Sequence, residues 1–306
     1  MDRRAQITKF LTPQHRGIEI GPYFRPLMPK KEGNNCLVLD VFDGPTLRQK
    51  AAADSNIPRD LIPNIEDVDL VGSSTEIGDL ATAKFPAGSF DYIVSSHNFE
   101  HLPDPIRFLQ GCQRILKPGG VLSMAVPDRR VCFDYFRPHS TTADVLEAYF
   151  LRRQRPTPAQ VFMQNSLHSR YRRNGQELLG FCLEEDPANV VPLQTLEAAF
   201  QRWTNFNAHP DEIYHDVHCW AFTPASLELI VRDLKFLGVL QMDIQQITGA
   251  YENEFFVRLL NPESPSPAHA HREEFYEKRA QLLQRINDEA SENSNRVYQL
   301  RRQPPP

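Results

Sequence analysis

The sequence predicts an α/β chain, doubly wound on a mostly parallel seven-stranded sheet, with a helical insertion after the fifth strand. Three observations carry this. Short apolar runs alternate with helical stretches from Arg16 to Pro127, the pattern of strand–helix–strand units and hence of a parallel sheet. At about Asp128 the pattern gives way to a basic, aromatic segment that runs to His218. It then returns as one helix and two strands, up to Leu260. The division is therefore an α/β core over 1–127, a mostly helical insertion over 128–218, the rest of the core over 219–260, and a linker with a charged helix over 261–306.

The first strand is Arg16 to Ile20, which breaks at Gly21-Pro22. Leu37 to Val41 is a second buried strand with Asp40 near its end, and Thr46 to Ala53 reads as helix. Val68 to Val71 and Phe90 to Ser95 are the third and fourth strands. Pro105 to Leu116 places Ile106, Leu109, Cys112 and Leu116 at helical spacing. Lys117-Pro118-Gly119-Gly120 stops that helix, and Val121 to Val126 is the fifth strand. Thr223 caps a helix that runs to Gly238, with Pro224 at its first position. Leu240 to Ile247 and Glu254 to Leu260 close the sheet. Asn261 to Ala270 is a linker rich in Pro and Ser, Glu273 to Leu300 a charged helix, and Gln303 to Pro306 a disordered end.

Composition narrows the class. Hydrophobic residues make up 41% and charged residues 24%, as in globular proteins. A net charge of -5 speaks against a nucleic-acid backbone as the main partner. The N-terminal MDRRAQITKF lacks the apolar core of a secretory signal, and no run is long enough for a membrane span. Cys36, Cys112, Cys132, Cys182 and Cys219 form no CxxC pair and read as reduced, mostly buried thiols of a cytoplasmic protein. Their spacing predicts no metal site.

Right-handed crossovers bring every parallel strand's carboxyl end to one edge, where ligands bind. Gly21 there permits close backbone approach. Glu19 at the mouth suits a ligand with an ammonium or sulfonium group and repels a pyrophosphate. Asp40 stands where nucleoside-binding sheets place an acid for ribose hydroxyls. Taken singly, each feature also reads as a turn glycine or a solvated strand-end acid.

The stretch Ser89 to Pro105, with Asn98-Phe99-Glu100-His101-Leu102-Pro103-Asp104-Pro105 at its end, resembles the fourth-strand region of class I methyltransferases. Arg114-Ile115-Leu116-Lys117-Pro118-Gly119-Gly120-Val121-Leu122 is similar to their turn into the fifth strand, in the same order and at the same distance. The resemblance covers Arg16 to Pro127 and implies a Rossmann-like fold and S-adenosyl-L-methionine as cofactor. By position it implies Glu19, Gly21 and Pro22 at the methionine end, Asp40 on the ribose, Asp79 and Leu80 at the adenine, and Ser96 and His97 near the methyl group. The chain departs from the family in having Pro22, Tyr23 and Phe24 where further glycines are usual, so the loop takes another path. Arg25 is a candidate partner for the cofactor's carboxylate, or an exposed arginine.

Displacement at a sulfonium needs positioning, exclusion of water and, for a hydroxyl acceptor, a base. The candidate bases are His97, Asp128, His215 and His218. The resemblance makes His101 structural. Asp211-Glu212-Ile213-Tyr214-His215-Asp216-Val217-His218 reads foremost as a polar hinge, the alternatives being an acceptor-side base or a metal pair. Pro127-Asp128-Arg129-Arg130 reads equally as a salt-bridged turn. Arg152, Arg153 and Arg155, and Arg170, Arg172 and Arg173, suit an acidic acceptor or form a solvated face. Val126-Pro127-Asp128-Arg129-Arg130 with Phe133 to Pro138, and His218 to Pro224, resemble bacterial methyltransferase-domain proteins of surface-polysaccharide assembly, which implies a small-molecule or glycan acceptor with a sugar hydroxyl. A fold-retaining scaffold and a nicotinamide-dependent oxidoreductase are the competing readings. The latter usually keeps the later glycines for its pyrophosphate.

Overall fold

The computed structural model describes residues 2–208 and 215–300. The Gln303–Pro306 end lies outside them. The central sheet runs β1 (Gly17–Ile20), β2 (Cys36–Asp40), β3 (Leu70–Val71), β4 (Phe90–Ser96), β5 (Leu116–Pro127), then, after an insertion, a closing pair. The helices of this part are α1 (Arg3–Ile7), α2 (Gly44–Ala53), α3 (Ile77–Thr82) and α4 (Pro105–Ile115). The insertion holds α5 (Thr142–Phe150), α6 (Pro158–Leu167), β6 (Ser169–Arg173), β7 (Gln176–Leu178), β8 (Val190–Pro192) and α7 (Leu196–Ala208). Then follow α8 (Pro224–Phe236), β9 (Asp243–Ile247), β10 (Glu254–Leu260) and α9 (Arg272–Leu300).

The sheet order is β3-β2-β1-β4-β5-β10-β9. β10 pairs antiparallel with both β5 and β9, and the remaining ladders are parallel. The chain winds outward from β1 in one direction, then from β4 in the other. The crevice at their carboxyl ends is the switch point at which such sheets bind ligands. Ile18, Ile20, Ile93, Leu122 and Val257 face the larger core under α3, α4, α5 and α8. Tyr92, Val94, Cys36 and Phe256 face the other way and are covered by Ile7 of α1 and by Leu27 and Met28.

Two expectations gain detail. The insertion carries the expected helices α5–α7, and beside them β6–β8 form a separate three-stranded antiparallel sheet packed around Val131, Tyr171, Phe181 and Val190. The Lys117–Gly120 turn does stop α4, but β5 begins at once at Leu116 and absorbs the turn as an irregularity against Phe90 and Tyr92. The five cysteines are free, and no helix among the described residues is long and apolar enough to cross a membrane.

Candidate active site at the carboxyl edge

The edge is open where the chain switches direction. Gly21 takes φ 57, its N–H donates to the Leu39 carbonyl at 2.9 Å, and no atom lies within 4 Å of where a Cβ would stand. Asp40 ends β2 next to Val71 in the ladder, and Phe42 N–H donates to its carboxylate at 3.2 Å. Burial raises the Asp40 carboxyl above its ordinary value. Around it Val41, Phe42 and Val71 are 57%, 41% and 50% exposed. An acid amid uncovered apolar side chains suits a flat base joined to a ribose. The nucleoside half of the expected cofactor therefore fits.

Glu19 does not stand at the mouth. It is 3% exposed, and its two carboxylate oxygens accept the N–H groups of Leu27 and Met28 at 2.7 and 2.9 Å. Strand alternation explains this, for Glu19 shares its face with Gly17, toward Tyr92, and not with the cleft. Desolvation carries its carboxyl up to about 7. Its work is to pin the loop that begins at Gly21 and Pro22. That loop replaces the missing glycines with a turn from Pro22 to Arg25, Tyr23 at φ 47, and an edge-on Tyr23–Phe24 pair. The Arg25 guanidinium lies over the Phe24 ring, 5.4 Å from its centre.

Asp79 and Leu80 also miss the cleft. Asp79 is tied to Arg107 and Arg114 of α4 at 3.1 and 2.6 Å, while Leu80 packs back toward Gly72. The β3 and β4 exits are joined instead by Ser74, which donates to Asn98 at 2.8 Å, and by Asn98, which donates to Ser95 at 3.1 Å.

Beyond β4 the chain gathers titratable groups. Ser96 accepts from Arg3 at 2.6 Å. His97, at φ 49, meets Glu254 with Nε2 at 2.8 Å and faces Glu100 with Nδ1 at 3.7 Å. Arg3 forks onto the same Glu254 at 2.7 and 2.9 Å. Burial opposes charge on both partners, but their hydrogen bond raises His97 and lowers Glu254 from the ordinary values. Two nearby carboxylates favour the protonated imidazole, so His97 fits a charge-holding role better than that of a base. His101 and His218 point Nε2 at Glu100 from 3.7 and 3.8 Å. Their other ring nitrogens meet Asp216 at 2.8 Å and Asp134 at 2.5 Å.

Asp128 is not available as a base, being fully buried and gripped by Arg130 at 2.6 Å in the salt-bridged turn. His215 is half-buried beside Asp211, Glu212, Ile213 and Tyr214, which lie outside the described residues. Arg153, Arg172 and Arg173 are each paired with a glutamate, which reduces the charge left for an acidic ligand. Arg3, Glu254 and Asp134 escaped sequence reasoning. Each meets its partner across more than 80 positions, and no local pattern marks such pairs.

Sheet order and open edge define a doubly wound α/β domain with an exposed crevice at its switch point. The family model described as a methyltransferase domain matches residues 21–124. A ubiquinone biosynthesis O-methyltransferase of Xanthomonas oryzae pv. oryzae is 40% identical over 53 residues, 17% of this chain and 21% of that protein. The curated relatives are thus matched over about a fifth of their length. An S-adenosylmethionine-dependent methyltransferase structure from Methanosarcina mazei is 13% identical, with 84% of this chain and 97% of that one covered and a TM-score of 0.40. One from Aquifex aeolicus is 11% identical, with 84% and 89% covered and a TM-score of 0.39. Residues 21–124 thus match the methyltransferase-domain family, and the methyl donor that this match implies is S-adenosyl-L-methionine.

Proposed function

We propose that the protein transfers a methyl group from S-adenosyl-L-methionine to a hydroxyl of a small-molecule or glycan acceptor. The observation that carries this is the open edge, with Gly21, Asp40 and the uncovered Val41, Phe42 and Val71 on one side and the imidazole–carboxylate group on the other. When bound, the donor supplies a methyl carbon on a sulfonium, and the sulfur keeps the C–S electron pair as a neutral thioether. Asp40 would accept hydrogen bonds from the ribose hydroxyls, and the exposed Val41, Phe42 and Val71 would shield the base from water. The acceptor oxygen bonds to the methyl carbon as its O–H proton passes to the group of Glu100, His101 and His218, beside the charge held on His97.

The segment 128–218 acts as the acceptor cap in this reading, since Phe133 packs against His218, 4.5 Å between ring centres. The name of the Xanthomonas relative points to oxygen as the acceptor atom. Five free thiols accord with a reducing, cytoplasmic setting. A methyl-release assay over hydroxylated sugars and phenols, preceded by calorimetric titration with the donor, tests the proposal. Saturable donor binding and turnover on a hydroxyl acceptor are expected. A folded protein without affinity for the donor leaves a scaffold.

A further inference from the structure

Glu100 poses a problem that methyl transfer does not answer. Its side chain is 1% exposed, and neither carboxylate oxygen has a hydrogen-bond partner. A carboxylate buried in this way is strongly penalised unless something compensates it. The nearest groups are Nδ1 of His97 and Nε2 of His101, both at 3.7 Å, and Nε2 of His218 at 3.8 Å, all too far for hydrogen bonds. One atom from each of the three residues falls within 4.8 Å of the others.

We propose that Glu100, His101 and His218 bind a divalent transition-metal ion. Two imidazoles and one carboxylate form a ligand set that zinc and its neighbours accept, with positions left for water or substrate. Bonds of about 2.0–2.1 Å at tetrahedral angles put ligand atoms roughly 3.3 Å apart. The two imidazole–carboxylate spacings would contract by roughly half an ångström to reach it, and all three ligand atoms already lie within 4.8 Å of one another.

The surroundings support the assignment independently. A metal-ligating histidine usually gives its second ring nitrogen to a carboxylate, which fixes the tautomer and aims the free lone pair at the ion. Here both histidines do so, His101 through Nδ1 to Asp216 and His218 through Nδ1 to Asp134. Asp134 is held in turn by Arg137 at 2.7 Å. The two ligand-bearing segments are also zipped together. Trp220 N–H donates to the Glu100 carbonyl at 3.1 Å, Trp220 Nε1 to the Leu102 carbonyl at 2.6 Å, and Cys219 Sγ to the His101 carbonyl at 3.3 Å. The geometry therefore does not depend on the ion to assemble it. His97, at the β4 exit, approaches the same Glu100 oxygen at 3.7 Å, so the site borders the cleft. Under the methyl-transfer reading, on which this last step rests, the ion would replace these three side chains as the group that activates the acceptor hydroxyl, and the released proton would pass to water.

The test uses the full chain, stripped with a chelator and then exposed to Zn²⁺ or Co²⁺. Mass spectrometry of metal content should show one equivalent of zinc, and Co²⁺ should give visible absorption of a low-symmetry site. His101→Gln and His218→Gln should weaken zinc in an indicator competition by at least about 100-fold, and Asp216→Asn by about 10- to 100-fold. Circular dichroism confirms folding. If His218→Gln does not fold, the two variants at the more exposed positions decide. A folded wild type that takes up neither ion, or variants that bind as tightly as wild type, overturns the proposal and leaves water between these groups. Donor titration of the stripped and loaded protein reports on the cleft alone, so failure of either reading is seen separately.

Discussion

Asp40 and Glu19 are two carboxylates of adjacent strands with opposite fates, and each has its own measurable consequence. Asp40 keeps acceptor capacity beyond its bond to Phe42, and it lies among exposed apolar side chains. Asp40→Ala should remove hydrogen bonds to a charged acceptor, worth about 1.5–3 kcal/mol, and so weaken S-adenosyl-L-methionine by roughly 10- to 100-fold in calorimetry. Unchanged affinity would refute the ribose role. Glu19 predicts a pH effect instead. Burial is the main cause of its rise to about 7, with Glu66 adding to it and the Leu27 and Met28 amides and Arg4 opposing it. Above the ordinary carboxylate value the unfolded chain has released this proton while the folded chain still holds it. The contribution of Glu19 to stability is thus full at low pH and disappears as pH rises through about 7. Gln cannot ionise, so denaturant titrations should show wild-type stability falling relative to Glu19→Gln between about pH 5 and about pH 8, by on the order of 2–3 kcal/mol. A difference that stays flat would mean that Glu19 is ionised throughout.

The walls of the cleft are set by close contacts between elements. Gly17 of β1 stands beside Tyr92 of β4, and a Cβ there would meet the buried ring at 2.1 Å. Gly17→Ala should therefore spread the two strands that flank the switch point. A loss of about 1–3 kcal/mol is expected from overpacking, together with weaker donor binding. A melting temperature equal to wild type would show that the ring moves aside freely. These elements also show what a sequence can disclose. β10 was readable to the residue because Glu254–Leu260 is a buried run set off from its neighbours, and α4 because its apolar positions recur every three or four residues. β6, with its Ser-Arg-Tyr-Arg-Arg run, was hidden because its strand character comes from pairing with β7 and β8. The same holds for five-residue α1, whose Ile7 and Arg3 find partners only in the assembled sheet. In the site, Asp40 was legible from its distance to Gly21. Glu19 was misplaced because its position along β1 was weighed and the face it occupies was not. Asp79 was assigned across a loop of uncertain length, and α3 then carried it toward α4.

At the scale of the whole molecule, the core is built from both ends of the described chain, and the insertion must be held against a sheet that closes only after it. α9 joins the two parts. Leu282 and Ile286 pack on Ala225 and Leu229 of α8, and Arg279 reaches Asp233 of α8 at 2.9 Å. Asp233 also accepts from Thr142 of α5 at 2.8 Å, so core, insertion and α9 meet at one buried carboxylate. Further along α9, Glu289 approaches Arg130 at 4.0 Å, the arginine that closes the turn at the start of the insertion. Leu282 is 1% exposed at the centre of this contact. Leu282→Ala should cost about 2–4 kcal/mol through lost burial and the cavity it leaves. The loss should not spread evenly, because β1 and β4 have strand partners on both sides, whereas α9 packs chiefly on α8. Hydrogen exchange is expected to quicken in α5 and α8, and in the 3-10 turn at Pro187–Asn189 that touches α9. β1 and β4 should keep their protection at the same denaturant concentration. Exchange that rises equally in β1 and α5 would mean that the chain opens as a single unit, and that α9 is not the element that fastens the insertion to the core.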